Sequence, residues 1–296
     1  MTLDLETKLL GPVVVGGLGG SGTGLVAEIL QEVGVYMGAD LNHASDNLWF
    51  GFLVPRARWE LSPPEQTDQP VYQALRLFDL AMTGRLELTR ADKKFIKEAV
   101  SRGKRLAPTD RSPDWFRQRM HNLEHSRENF PLGTRLWGWK LPGTYFYLPY
   151  LHQYYEARLQ YVHVIRHGVY MSRSRNQNQF KHWGDLLGID PESAGSDASA
   201  SLDFWIAANR LAISHAHALS ADRFYLLNYD ELCSNPDRGV SQLLDFLRAD
   251  PPQSIVDKVV TMPQPRESRF SAEELRSFTS IQLETVRDLG FDITEL

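Results

Sequence analysis

Gly11–Gly34, GPVVVGGLGGSGTGLVAEILQEVG, is the stretch that decides the fold. Val13, Val14 and Val15 form a short β-branched run, suited to a strand buried on both faces of a parallel sheet. Gly16, Gly17, Gly19, Gly20, Gly22 and Gly24 follow, with Ser21 and Thr23 as the only hydroxyls between them. Leu25, Val26, Ile29, Leu30 and Val33 then recur at helical spacing opposite Glu28, Gln31 and Glu32, and Gly34 supplies a C-terminal stop. Strand, glycine turn and helix together predict an anion cradle, because a backbone without side chains lets several N–H groups converge at a helix N-terminus. A turn that only reversed the chain would not need so many glycines, each of which costs backbone entropy.

Three chemistries compete for such a cradle. A nucleotide kinase or ATPase needs GxxxxGK[ST], and Gly17–Gly24 places Thr23 where the lysine belongs, with no hydroxyl at the Mg²⁺ position after it. A dinucleotide site needs GxGxxG, which Gly17-Leu18-Gly19-Gly20-Ser21-Gly22 satisfies, with Asp40 downstream for a ribose. The third is a phosphosulfate loop, in which Ser-Gly-Thr at the helix start holds the 5′ end of a sulfonate donor. The turn alone does not choose among them.

The 296 residues can bury a large core, and 42% hydrophobic with 11% aromatic residues is ordinary globular composition. A net charge of −5 gives no global case for nucleic acid or an anionic membrane. Cys233 is the sole cysteine, which excludes an intramolecular disulfide and fits a reducing compartment. The opening MTLDLETKLL has no long apolar run, and no stretch approaches the roughly 20 apolar residues of a membrane span. The expectation is a soluble, cytoplasmic protein. The nine histidines show no metal-ligand spacing.

Past the first helix, Asp40, His43, Asp46 and Arg56 lie close together, where a general base for group transfer could sit. The alternative is a polar loop in which Asp46 caps the next turn. Residues 51–130 lack a good strand and are broken early by Pro55, Pro63, Pro64 and Pro70. Short amphipathic helices follow, and with 15 Lys/Arg against 11 Asp/Glu this stretch reads as a mildly basic helical insertion that contacts the acceptor. TRLWGWKLPG begins as a strand with Leu136, Gly138 and Lys140 on one face and Trp137 and Trp139 on the other. Lys140 falls near its carboxyl end, where position and the following turn favour an electrostatic catalyst over a snorkelling surface cation. LQYVHVI, Leu159–Ile165, is the clearest strand. Arg166 ends it, and Ser174 lies eight positions on, placed on the next helix to share one phosphate with Arg166. Residues 184–201 read as a lid loop, Leu202–Leu219 as a helix, and FYLLNY, Phe224–Tyr229, as a third buried strand before a helix opened by Pro236. Arg266, Arg269 and Arg276 make a basic cluster near the end, either folding over an anionic ligand or forming a polar terminus.

Four of these features, in this order, resemble the sulfotransferase superfamily that uses 3′-phosphoadenosine 5′-phosphosulfate (PAPS). GGLGGSGTG resembles its 5′-phosphosulfate loop, and VIRHGVYMSRS resembles its 3′-phosphate motif through Arg166 and Ser174. GWKLP is similar to a W-x-K-x-P segment whose lysine assists transfer, and Tyr229 of NYDEL matches a tyrosine bordering the adenine. The resemblance runs from Val13 to about Leu247. It departs at Gly20, where the loop usually carries a cation, at Gly143 in place of a common arginine, and at His167-Gly168 in place of Asp-Pro.

The resemblance implies a single α/β domain over residues 1–296, a P-loop-like three-layer fold with a central parallel sheet between helices. It implies Gly19, Gly20, Ser21, Gly22 and Thr23 at the 5′ end of PAPS, and Arg166, Ser174, Tyr229 and Arg269 elsewhere on the nucleotide. Asp46 is the first choice for the base, with Asp40 and His43 as alternates, and Lys140 stabilises the leaving oxygen. No metal is called for, and the acceptor is a small molecule or carbohydrate. A dehydrogenase, a nucleotide kinase and an inactive binding protein remain the alternatives.

Overall fold

The computed structural model describes residues 9–55, 58–59, 64–106, 112–216, 219–220, 222–264 and 270–293. The valine run lies within β1 (Leu10–Gly17), and the glycine turn leads into α1 (Thr23–Glu32). A two-residue strand, β2 (Val35–Tyr36), precedes the helices α2 (Leu48–Leu53), α3 (Pro64–Met82), α4 (Arg90–Leu106) and α5 (Pro113–Glu124). Then come β3 (Leu136–Lys140), α6 (Leu148–Tyr155), β4 (Gln160–Ile165), α7 (Gly168–Ser172), α8 (Asn178–Trp183) and α9 (Ala198–Ala216). The chain continues through β5 (Phe224–Asn228), α10 (Tyr229–Ser234), α11 (Pro236–Leu247), α12 (Gln253–Val259), α13 (Ala272–Leu275) and α14 (Ser280–Asp288).

The five strands form one sheet in the order β2-β3-β1-β4-β5, every pair parallel. The chain fills the β3 side of β1 first and then crosses to the β4 side, so the crevice at the carboxyl end of β1 is a topological switch point, where open α/β sheets bind ligands. Strand side chains alternate between two unlike cores. Val13, Val15, Val162, Val164 and Leu227 face an aliphatic layer built from α1, α10 and α11. Val14, Trp137, Trp139, Tyr161 and Ile165 face an aromatic layer with Trp49, Phe50, Phe78, Tyr155 and Trp205. The central parallel sheet with helices on both faces is the expected fold class.

Four local expectations change. The helical insertion lies between β2 and β3, because Val35 and Tyr36 form a short strand, not expected from the sequence, that pairs with Leu136 and Trp137. Pro70 does not break the chain but stands inside α3, past its first turn, where it removes one ladder bond. FYLLNY is the outer strand rather than a buried one: only Leu227 is buried, Leu226 is 37% exposed, and Tyr229 already belongs to α10. Residues 184–201 hold two 3₁₀ turns, Asp185–Leu187 and Pro191–Ser193, and from Ala198 belong to α9. Among the described residues, no helix is long and apolar enough to cross a membrane.

β4 carries one polar residue into this core. Asn209 of α9 donates through Nδ2 to the Trp205 carbonyl at 2.7 Å, which turns its Oδ1 toward His163 Nε2 at 2.9 Å. That nitrogen therefore holds the proton, and Nδ1 accepts from the Tyr161 hydroxyl at 3.3 Å. Complete burial pushes the His163 pKa down to about 4, outweighing the upward pull of the Asn209 bond. The unfolded chain takes up this proton near pH 6.5 and the folded chain only near 4. Stability from this residue is therefore complete above about 6.5 and lost as the pH falls toward 4. In urea denaturation, moving from about pH 7 to about pH 5 should cost the wild type about 2 kcal/mol through this residue. His163→Gln should lack that part of the slope; identical slopes in the two proteins would refute the assignment.

Candidate functional site

The site is built where β1, β3, β4 and β5 end. Val15 pairs with Lys140, Gly17 with Val164, and Ile165 with Asn228, so the residues beyond each strand emerge side by side. The segment after β3 keeps following β1, with Leu141 N–H donating to the Val15 carbonyl at 3.2 Å and Gly143 N–H to that of Gly17 at 3.1 Å.

The glycine turn has the features of an anion cradle. Gly22 takes the N-cap position of α1 in a left-handed conformation, φ 100°, without a side-chain cap, whereas α2, α5, α10, α13 and α14 each have one. The first N–H groups of a helix need partners from outside it. The Ser21 hydroxyl is buried in the turn with no hydrogen-bond partner, and Thr23 is buried as the first residue of α1. Only glycine fits at 22, because a Cβ there would lie 2.0 Å from the Tyr229 ring. Gly19 N–H donates to Gln179 Oε1 at 3.1 Å, which ties the turn to α8.

Gly20 leaves the turn without a cation of its own, and β4 brings one to it. Arg166 is 7% exposed and its Nη1 donates to the Gly20 carbonyl at 3.1 Å. Its guanidinium lies over the rings of Tyr170, at 3.9 Å, and Tyr229, at 4.8 Å. Its Nε is buried without a hydrogen bond. The guanidinium is thus fixed by one carbonyl and two π-faces, with donor capacity unused. Ser174 is not on the next helix: α7 ends at Ser172, and Ser174 occupies the following turn, where its Oγ accepts from Asn176 N–H at 3.2 Å.

On the other side of β1, Lys140 is 1% exposed and does not snorkel to the surface. Its Nζ donates to the Ala44 carbonyl and to Asp46 Oδ1, the latter at 2.5 Å. Burial draws the Lys140 pKa below the ordinary lysine value, against the opposing pull of Asp46 and the weaker one of Glu28. Asp46 does not cap α2, a role taken by Asn47, whose side chain accepts from Phe50 N–H at 2.9 Å. The Asp46 carboxylate is held by Asn42 Nδ2 at 2.8 Å, and Asn42 Oδ1 accepts from the Ala44 and Asp46 N–H groups at 2.9 Å each. Asn47 N–H donates to the Lys140 carbonyl at 2.8 Å and closes the loop onto β3.

Beside this pair lies a cleft of about 630 Å³, lined by Gly19, Asp46, Arg58, Lys104, Leu141 and Trp183 among others. Trp183 packs on Gly143, which is left-handed at φ 85°; a Cβ at 143 would lie 2.7 Å from the indole. A partly buried carboxylate can accept a proton from a substrate, and a buried ammonium beside it can stabilise negative charge on a substrate oxygen.

The other candidates lie elsewhere. His43 is exposed. Asp40 is buried, its carboxylate 2.9 Å from Arg119 Nε and accepting from Asn122 Nδ2 at 3.0 Å, which ties α5 to the loop after β2. Burial raises the Asp40 pKa, and Asn122 and Arg119 oppose the shift. That pairing also takes it from the ribose role of a dinucleotide site. Arg56, Arg266 and Arg269 lie outside the described residues, and Arg276 is exposed at the end of α13. Sequence reasoning missed Asn42, Tyr170 and Gln179, whose roles arise from long-range closure; only Asn42, two residues before Ala44 and four before Asp46, had a local signature, the Asx turn.

If Asp40 is a structural tie, Asp40→Ala should lower stability in urea by about 3 kcal/mol through the orphaned Arg119. Lost turnover at full stability would instead make it the base.

A sequence profile described as the sulfotransferase family matches residues 12–252. Comparison with curated proteins finds no match. Among solved structures, the sulfotransferase domain from the curacin biosynthetic pathway is 15% identical, with TM-score 0.49 over 97% of this chain and 99% of that one. The sulfotransferase domain of the Synechococcus PCC 7002 olefin synthase is 14% identical, with TM-score 0.45 over 97% of each chain. Sulfotransferase STF9 from Mycobacterium avium is 14% identical, with TM-score 0.46 over 97% of this chain and 78% of that one. The profile, which spans most of the 296 residues, carries the assignment: the chain belongs to the sulfotransferase family.

Proposed function

We propose that this sulfotransferase moves a sulfonate group from PAPS to an acceptor hydroxyl or amine. The observation that carries the reading is the 3.1 Å contact of Arg166 Nη1 with the Gly20 carbonyl. It means that the anion-binding features of two successive strand-to-helix crossings meet, as one doubly phosphorylated adenosine requires. The uncapped start of α1 and the unpartnered Ser21 hydroxyl suit a 5′-phosphosulfate. Arg166, with its unused Nε, and Ser174 would hold the 3′-phosphate. Tyr229, packed over Gly22, would border the adenine.

PAPS supplies an electrophilic sulfonate on a phosphate leaving group. Asp46 takes the proton from the acceptor as the acceptor oxygen or nitrogen bonds to sulfur. Lys140 stabilises the negative charge that collects on the departing phosphate oxygen as its bond to sulfur breaks. A charge shielded from water acts more strongly than one in solution. Asn42 and the Ala44 carbonyl keep both groups in place before either ligand arrives. The helical insertion supplies the acceptor walls of what we read as one working unit.

Calorimetry should find 3′-phosphoadenosine 5′-phosphate (PAP) binding roughly a hundredfold tighter than ADP, through the charge-assisted bonds of the 3′-phosphate. Arg166→Ala should erase that preference. Asp46→Asn should keep PAP binding and lower turnover by about 10²- to 10⁴-fold. Equal affinity for PAP and ADP in the wild type would overturn the donor assignment.

A further inference from the structure

Gln179 touches the glycine turn but has no part in the steps assigned above. Its Oε1 accepts from Gly19 N–H at 3.1 Å. A backbone N–H needs an acceptor opposite it, so that bond fixes which end of the amide faces the turn. The other end, Nε2, is buried and has no hydrogen-bond partner among the described residues. A buried donor left unbonded costs free energy, and one kept at that cost asks for a reason. A single bond therefore sets the orientation of this amide, and the terminal torsion of a glutamine is broad.

The surroundings indicate which part of a ligand would meet it. Of the glycine turn, Gly19 is the residue that lines the cleft, together with Asp46, Leu141 and Gln179 itself. In PAPS the sulfonate is the part that must face the acceptor, so Gly19 stands at the sulfonate end of the turn rather than the adenosine end. Two groups grip consecutive residues there from outside: Arg166 takes the Gly20 carbonyl and Gln179 the Gly19 N–H. Both are mounted on one connected piece of chain. The buried Gln177 donates through Nε2 to the Met171 carbonyl at 3.0 Å and the Ser174 carbonyl at 2.9 Å, which fastens the start of α8 to the end of α7. The segment that brings a cation to Gly20 thus also brings a neutral amide to Gly19.

We propose that Gln179 reads the sulfonate of the donor. Gly19 N–H bonds more strongly to an anion than to an amide oxygen, and an anionic oxygen in that place repels Oε1. The amide turns, and Nε2 then donates to the sulfonate beside Gly19 N–H. The oxygens so held stay on sulfur while its bond to the donor phosphate breaks and its bond to the acceptor forms, so Gln179 neither gives nor takes a proton. The inference rests on the PAPS reading of this site and adds the residue that tells the loaded donor from PAP, which has no sulfonate. A mere tie between the turn and α8 would treat the two alike.

The test measures PAPS, without acceptor, and PAP by calorimetry on the wild type, Gln179→Ala and Gln179→Glu. Gln179→Ala should lower the affinity for PAPS relative to PAP roughly three- to tenfold, because it removes the donor together with the competing oxygen. Gln179→Glu keeps the shape and an acceptor for Gly19 N–H, but it offers no donor and adds a like charge. It should lower the same ratio by roughly tenfold or more. A structural tie predicts the reverse pattern, with the glutamate behaving as the wild type and the alanine weakening both nucleotides equally. An unchanged or raised ratio in Gln179→Ala, or the wild-type ratio in Gln179→Glu, overturns the proposal. PAP bound by each variant shows that it has folded. PAP bound with an unaltered ratio removes this inference alone, and a wild type that binds neither nucleotide removes the donor reading with it.

Discussion

A cation hidden from water must find partners, and two such cations, at strand ends on either side of β1, organise this protein. Lys140 and Arg166 are almost inaccessible, and each is held by groups from a different part of the chain. Lys140 draws in the loop after β2 through Asp46 and Ala44, and Arg166 draws in the glycine turn through Gly20. The arrangement is mutual. Asn42 shapes its loop so that a carboxylate and a carbonyl face one ammonium, and Tyr170 and Tyr229 enclose a guanidinium between π-faces. Removing either cation leaves polar groups pointing at nothing, so placement of the reactive groups and local folding are one problem here.

The sheet keeps these two assemblies apart and in register. β1 lies at the centre, Lys140 stands level with Val15 on one side, and Arg166 follows the residue after Val164, which pairs with Gly17, on the other. The glycine turn at the end of β1 is therefore flanked by an ammonium and a guanidinium from neighbouring strands. The turn carries no cation at Gly20, and β4 brings Arg166 alongside it.

Much of this was written in short sequence segments. Val13–Val15 and the glycines announced a strand followed by a cradle, and the alternation of Trp137 and Trp139 with Gly138 and Lys140 announced which face would be aromatic. Those patterns are local, and periodicity records them. Lys140 and Arg166 could be picked out because each directly ends an obvious strand. The sequence put Asp46 ahead of Asp40 and His43 but could not show which carboxylate α5 claims. Arg119, far along the chain, takes Asp40. The same limit hid the exposed side of β5, because an apolar run does not state how many neighbours its strand has. Pro70 misled for a different reason: packing of the amphipathic face can hold a helix through an interior proline at which local propensity alone would end it.

The division of the core into unlike layers reaches beyond architecture. All seven tryptophans, Trp49, Trp59, Trp115, Trp137, Trp139, Trp183 and Trp205, belong to the aromatic layer or pack against it, and none lies with α1 and α11. Intrinsic fluorescence therefore observes one half of this molecule. The aliphatic half, which carries the helix behind the glycine turn, could loosen with little change in emission. Any account of its motion needs a reporter placed there on purpose.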